Sequence, residues 1–261
     1  MRFELEINGK RWAIDTAKSV DLSIAVNCKE AKGAKAWYID PPKTSPVRLG
    51  DWVGNVSQGG SVNFNDLLIN PHAHGTHTES LGHISPNQES VEGLFNEFFF
   101  EALVVSIPVG LNVGISRDIL EKCIEHCQKP SDLGLGFWSE SSRALIIRTL
   151  PNHADKRTMN YDHRGWPYLS AEAAEFLAEI NVQHLLIDTP SVDPEKDAGA
   201  LLAHKAFWQW PDHPRTQATI TEFIYVPDEI QDGAYLLELQ TAAIVNDATF
   251  SRPLIYALEA I

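Results

Sequence analysis

Apolar residues along this chain fall into short runs of two different periods. Phe3-Glu4-Leu5-Glu6-Ile7 and Arg11-Trp12-Ala13-Ile14 alternate as strands do, and Asn8-Gly9 between them is a hairpin pair. Asp21-Leu22-Ser23-Ile24-Ala25-Val26 predicts a further short strand. The runs Glu101–Val109, Ala144–Thr149 and His184–Asp188 are nearly continuous apolar segments, the pattern of strands buried on both faces. Between them the period lengthens. Ile119, Leu120, Cys123, Ile124 and Cys127 make one stripe of a helix over 117–128, with Ser116 at its N-cap. Ala173, Ala174, Leu177 and Ile180 share a face of a helix over 171–180 behind Ser170. Residues 200–208 are helical in composition, and 218–226 alternate like a strand. Strands alternating with helices predict an α/β fold with at least partly parallel pairing. No repeat, low-complexity tract or linker divides the chain, so 1–261 is expected to be one domain.

Two segments lack either period. Residues 29–70 are rich in Pro, Gly, Asn and Ser and carry Trp37, Tyr38 and Trp52. Such a length predicts a functional loop or a covering layer, with the aromatics packed on the core or lining a pocket. Residues 151–169 form a second long loop with His153, Asp155, His163 and Trp166.

The polar residues concentrate in one place. Four of the ten histidines lie within Pro71-His72-Ala73-His74-Gly75-Thr76-His77-Thr78-Glu79-Ser80-Leu81-Gly82-His83. Imidazole with carboxylate is the ligand set of a borderline divalent metal. His77 and Glu79 are two apart, which in an extended segment points both to one face. Gly75 lets the backbone turn or bulge ahead of His77. Downstream, His204 lies three after Leu201 and four before Trp208, on the apolar face of the 200–208 helix, where a lone histidine is more often a core residue than a ligand. Glu222 alternates with Ile220, Ile224 and Val226; on that face its carboxylate must be neutralised, paired or metal-bound, whereas on the opposite reading it is exposed. Asp188-Thr189-Pro190-Ser191-Val192-Asp193-Pro194 directly follows a buried strand, either as a site loop or as an ordinary turn. Asp247 is read only as a turn residue.

Composition narrows the partners. With 44% hydrophobic residues the chain can bury a proper core, and a net charge of −14 disfavours nucleic acid and anionic membranes. Cys28, Cys123 and Cys127 cannot form a disulfide framework, and the last two fit as small buried hydrophobes of a helix better than as metal ligands with His126. The N-terminus has no apolar signal region and no run approaches a membrane span, so a soluble cytoplasmic protein is expected.

Taken in order, these motifs resemble the cyclase family of metal-dependent hydrolases, which includes bacterial kynurenine formamidases (arylformamidases) and resembles the isatin hydrolases. The family motif runs His-x-Gly-Thr-His-x-Asp-x-Pro-x-His. Gly75-Thr76-His77 matches its centre and His83 its end. Asp21-Leu22-Ser23, the 188–194 loop, Ala203-His204 and Ile220-Thr221-Glu222 resemble further family segments. The chain also departs from the pattern. Ala73 stands at the first histidine's place, so His72 or His74 must serve, and Pro71-His72 resembles the usual opening. Glu79 replaces Asp, and Leu81 stands where the motif has Pro.

The resemblance implies a swivelling β/β/α-type domain with a mixed central sheet flanked by helices, in a homodimer or larger assembly such as a tetramer. It implies metal ligands at His72, His77, Glu79, His204 and Glu222 for one or two Zn or Mn ions, and His83 as general acid/base. With Thr76 or a backbone N–H at the oxyanion, the expected reaction is hydrolysis of an amide, formamide or lactam, with N-formyl-kynurenine as the type substrate. Two other classes fit parts of the pattern: a non-haem iron oxygenase using His77, Glu79 and His204, and a metal-dependent binding protein without turnover.

Overall fold

The computed structural model describes residues 1–7, 9–30, 33–128 and 143–261, with Gln128 described by its backbone alone. Its centre is a nine-stranded mixed sheet built from β1 (Val20–Asp21), β2 (His77–Glu79), β3 (Phe99–Pro108), β4 (Arg143–Leu150), β5 (Val182–Ile187), β6 (Thr219–Glu222), β7 (Gly233–Glu238), β8 (Ala248–Phe250) and β9 (Leu254–Ala257). The strands lie in the order β8-β2-β6-β5-β4-β3-β7-β9-β1. β3, β4, β5 and β6 are parallel neighbours, and the remaining pairings on either side are antiparallel. The parallel strands are joined through α1 (Arg117–Gln128), α2 (Ala171–Glu179) and α3 (Leu202–Trp208), as the change of period in the sequence predicts. Ser116 Oγ accepts from the Ile119 amide at 3.4 Å, and Ser170 Oγ from Ala173 at 3.2 Å, satisfying backbone donors that a helix start leaves open.

The helices cover one face only. Leu103, Val105, Leu145, Ile147, Leu185, Ile187 and Ile220 point to that face and meet Leu120, Ile124, Leu177, Phe207 and Trp208. The sheet's own curl closes the other face, around Leu22, Val104, Ile146, Leu186, Ile224, Leu237 and Ile255. The segment after β1 reaches the segment after β6 through a Ser23–Ile224 bridge and a Tyr225 N–H bond to Leu22 O of 2.8 Å. The expected mixed central sheet flanked by helices is thus present, with the helices on one face and the residues after β1 drawn toward those after β6 on the other. Cys127 is buried in the helix-side core and Cys123 packs against it, as their stripe predicts.

Arg2–Ile7 and Lys10–Asp15 pair as an antiparallel hairpin, extended by Glu259–Ala260; Asn8 of its turn lies outside the described residues. The 29–70 excursion is an arm rather than a lid of coil. Lys43–Pro46 pairs with Asn65–Leu68, and Arg48–Leu49 with Trp52–Val53. Leu49, Val56, Val62, Phe64, Leu67 and Leu68 on this arm are all exposed. Trp37 is the aromatic that reaches inward: it packs edge-on to Trp166 at 5.2 Å, and its Nε1–H donates to His72 O at 3.2 Å. Among the described residues no helix is long and apolar enough to cross a membrane.

Candidate metal centre

β2 is short, buried and central to the site. Its register sets His77 opposite Glu222 of β6 and Glu79 opposite Ile220. The two-residue period then puts His77, Glu79, Glu222 and Ile220 on the helix face, while Thr78 and Thr221 meet hydroxyl to hydroxyl at 2.8 Å on the other. Glu222 thus lies on an apolar face, but Ile224 and Val226 do not share it. Phe223 takes a left-handed φ of 56°, which ends β6 and sends both into the opposite core. Gly75 enters β2 at φ 123°, and a Cβ there would come within 2.8 Å of Ile24 O, so the approach admits only glycine.

The predicted ligands converge from four segments: the Pro71–Ala73 turn, β2, α3 and β6. His77 Nε2 lies 3.2 Å from Glu79 Oε1 and 3.5 Å from Glu222 Oε2. His204, on the inner face of α3, places Nε2 3.4 Å from Glu79 Oε2 and 3.7 Å from Glu222 Oε1. His72 Nδ1 lies 2.5 Å from Glu79 Oε1. His77, Glu79, His204 and Glu222 are buried; His72 and His83 are partly open and form the solvent side. The His83 ring is 4.4 Å from that of His72 and 5.4 Å from that of His204. His74 is not part of this group: its Nδ1 accepts from the Asn70 amide and its Nε2 faces Asp40 O, both at 2.9 Å.

The remaining nitrogens are held from behind. His77 Nδ1 faces Gly75 O at 3.0 Å, and His204 Nδ1 faces Asp193 Oδ2 at 2.6 Å. An N–H directed at an acceptor on one side leaves a lone pair on the other, the usual arrangement of a metal-binding imidazole. Asp193 also takes the Ala203 amide at 2.8 Å and the His204 amide at 3.3 Å, so one carboxylate caps α3 and orients its histidine. From the same loop, Val192 N–H donates to Glu222 Oε1 at 2.8 Å. The 188–194 loop is therefore a supporting layer. Its first residue, Asp188, is held by Thr149 and by Lys156 at 2.8 Å; burial raises its carboxyl and Lys156 opposes that.

Two observations test whether a metal fits. His204 Nε2 and Glu79 Oε2 are buried without any hydrogen-bond partner, although they face one another. Orphaned polar atoms in a dry interior are costly unless something joins them. The electrostatics agree. Burial by itself lowers the imidazoles, but the surrounding carboxylates outweigh it and raise His72 and His204 to about 10 and His77 to about 9. Burial raises Glu79, yet the histidines around it hold it well below its ordinary value. Such a cluster demands positive charge at its centre. The mixed nitrogen and oxygen donors fit a borderline divalent cation.

Thr76 has a different task from the one expected. Its hydroxyl donates to Phe223 O and accepts from the Ile24 amide at 2.7 Å. The single proton is committed to the backbone, so Thr76 ties the curled sheet together and does not offer a donor to an oxyanion. Asp247, by contrast, is part of the site. Its Oδ2 lies 3.0 Å from His72 Nε2 and 3.4 Å from His83 Nδ1. The contact spans 164 positions and arises because β8 pairs with β2, Ala248 opposite Glu79. A cavity of about 350 Å³ lies at the ends of β3, β4 and β5, lined by Leu150, Met159, Trp166 and Asp188; none of the converging histidines borders it.

A curled mixed sheet with, among the described residues, three helices on one face and a buried His/Glu cluster on its second and third strands defines the class of protein. The model of the Cyclase family matches residues 20–194, more than half of the chain, and the chain belongs to that family. It is 27% identical to the kynurenine formamidase of Bacillus cytotoxicus over 203 residues, 77% of this chain and 83% of that one. It is likewise 27% identical to the kynurenine formamidase of Bacillus thuringiensis subsp. konkukian over 222 residues, 85% of this chain and 88% of that one. The fold resembles that of an isatin hydrolase bound to the product analogue thioisatinate, with a TM-score of 0.63 at 14% identity and 93% of both chains covered.

Proposed function

We propose that this protein is a metal-dependent hydrolase of C–N bonds outside peptides, opening an amide, formamide or lactam, with N-formyl-kynurenine or a close relative as substrate. The observation that carries it is the convergence of His72 Nδ1, His77 Nε2 and His204 Nε2 on the buried Glu79 carboxylate. The kynurenine formamidases among its relatives support the substrate class. One or two divalent ions, Zn or Mn, would be held by His72, His77, Glu79, His204 and Glu222, and would supply carbonyl polarisation and acidification of water.

The chain's own residues do the rest. Glu79 and Glu222 each present a carboxylate to more than one imidazole, so either would serve as a ligand once an ion is bound. His83 sits at the open side, with one ring nitrogen within 4.8 Å of both Glu79 and His204 donors. It takes a proton from water as the carbonyl is attacked and returns it to the departing nitrogen, yielding amine and carboxylate. A three-ligand oxygenase centre would leave His72, Glu222 and His83 without roles, and no observation favours it.

The same reading includes a homo-oligomer, dimer or tetramer. It is supported by the 43–68 arm, on which Phe64, Leu67 and Leu68 are exposed.

The test is elemental analysis followed by a metal-supplemented assay on N-formyl-kynurenine, isatin and related amides. Stoichiometric metal and a turnover reduced about 10²–10⁴-fold in His83→Ala, with metal retained, are expected. Absence of bound metal overturns the reading. So does metal with no turnover on any of these carbonyls, which would mark a binding protein.

A further inference from the structure

His72 differs from the other imidazoles of the centre. His77 and His204 are held at Nδ1 and turn Nε2 toward the carboxylates. His72 does the reverse: Nδ1 approaches Glu79, and Nε2 points to Asp247. A neutral imidazole carries one N–H, and whichever nitrogen donates it leaves the other as the ligand.

We propose that Asp247 is the positioning residue of this centre. Its carboxylate accepts the Nε2–H of His72 and so leaves Nδ1 as the ligand atom facing Glu79. The same oxygen, 3.4 Å from His83 Nδ1, sets the tautomer of that ring as well. The role rests on the metal-hydrolase reading and concerns how the ligands are oriented.

The backbone supports it. Asp247 O accepts from the Ser80 amide at 2.9 Å and from Ser80 Oγ at 3.0 Å, and Asn246 O accepts from Val91 at 2.9 Å. Residue 247 is thereby fixed next to the end of β2. Its ion-pair partners among the described residues are His72 and His83, with no lysine or arginine within reach. The carboxylate thus has no role in a surface ion pair. The arrangement also accounts for a histidine one place ahead of the family's position. Pro71–Ala73 forms a tight turn, so His72 enters with its ring reversed and needs an acceptor on the Nε2 side. Gly75 O and Asp193 supply the corresponding acceptors behind His77 and His204.

The experiment compares wild type, Asp247→Ala, Asp247→Asn, His72→Ala and the His72→Ala/Asp247→Ala double variant. Zn²⁺ affinity is read by chelator competition, and geometry by the visible bands of the Co²⁺-loaded protein. Asp247→Ala is expected to weaken Zn²⁺ about 10–100-fold and shift the Co²⁺ bands. Asp247→Asn, which keeps an oxygen acceptor, is expected to recover most of the affinity. The double variant should bind no more weakly than His72→Ala, because Asp247 acts through His72. Unchanged affinity and bands in Asp247→Ala overturn the proposal while leaving the metal reading intact. Loss of one whole equivalent of metal also overturns it, making Asp247 a ligand of its own ion. If wild type binds no divalent ion, the metal reading fails and this proposal with it.

Discussion

Asp193 Oδ2 lies 2.6 Å from His204 Nδ1, on the side of the ring opposite Glu79 and Glu222. A loop following one parallel strand thus orients a side chain on the next helix. Metal ligands depend on such partners for both tautomer and direction. Asp193→Ala should weaken Zn²⁺ about 10–100-fold in chelator competition, with Asp193→Asn milder because its carbonyl still accepts. Equal affinities in all three proteins would contradict the geometry.

Thr76 is expected to matter for stability rather than for chemistry. Thr76→Val leaves Phe223 O and the Ile24 amide without their partner, at a cost of about 1–3 kcal/mol in denaturant unfolding. Thr76→Ser should restore most of that. Turnover per folded molecule should be unchanged in both, and a kcat loss in Thr76→Val at full folding would restore the oxyanion role.

His184 provides a pH-dependent element remote from the centre. It is buried against Phe100 at 4.1 Å, its Nδ1 meets Thr219 Oγ1 at 2.9 Å, and burial, with Arg215 adding to it, lowers its pKa to about 3. The unfolded chain therefore takes up this proton first as the pH falls below about 6.5, and folding is progressively disfavoured down to the native value. Wild type should lose about 2 kcal/mol from this group between neutrality and about pH 4.5. His184→Leu should show a correspondingly shallower acid slope in urea unfolding, and identical slopes would refute the assignment.

The arm predicts assembly. Replacing Phe64 and Leu68 by Asp places charge on surfaces that a second copy would have to bury. Sedimentation should show the wild type as a dimer or tetramer and the double variant shifted to monomer. A monomeric wild type would remove the oligomer from the picture.

Local pattern alone determined much of this protein. The parallel strands, α1 and α2 with their serine caps, and the cluster from His72 to His83 are written in short-range periodicity, because each depends on residues a few positions apart. His204 and Glu222 stood out as polar groups on apolar faces. What only the tertiary structure decided involves contacts across the chain. Phe223's left-handed backbone broke an alternation that the residues suggested would continue. Thr76's hydroxyl was claimed by carbonyl and amide groups that the curl brings near. Choosing His72 over His74 depended on which ring faced Glu79. Asp247 gave no sequence signal at all, since a turn aspartate looks the same whether or not strand pairing sets it beside a histidine 164 positions away. Ligand chemistry is local and legible, whereas the acceptors that orient ligands come from wherever the sheet closes.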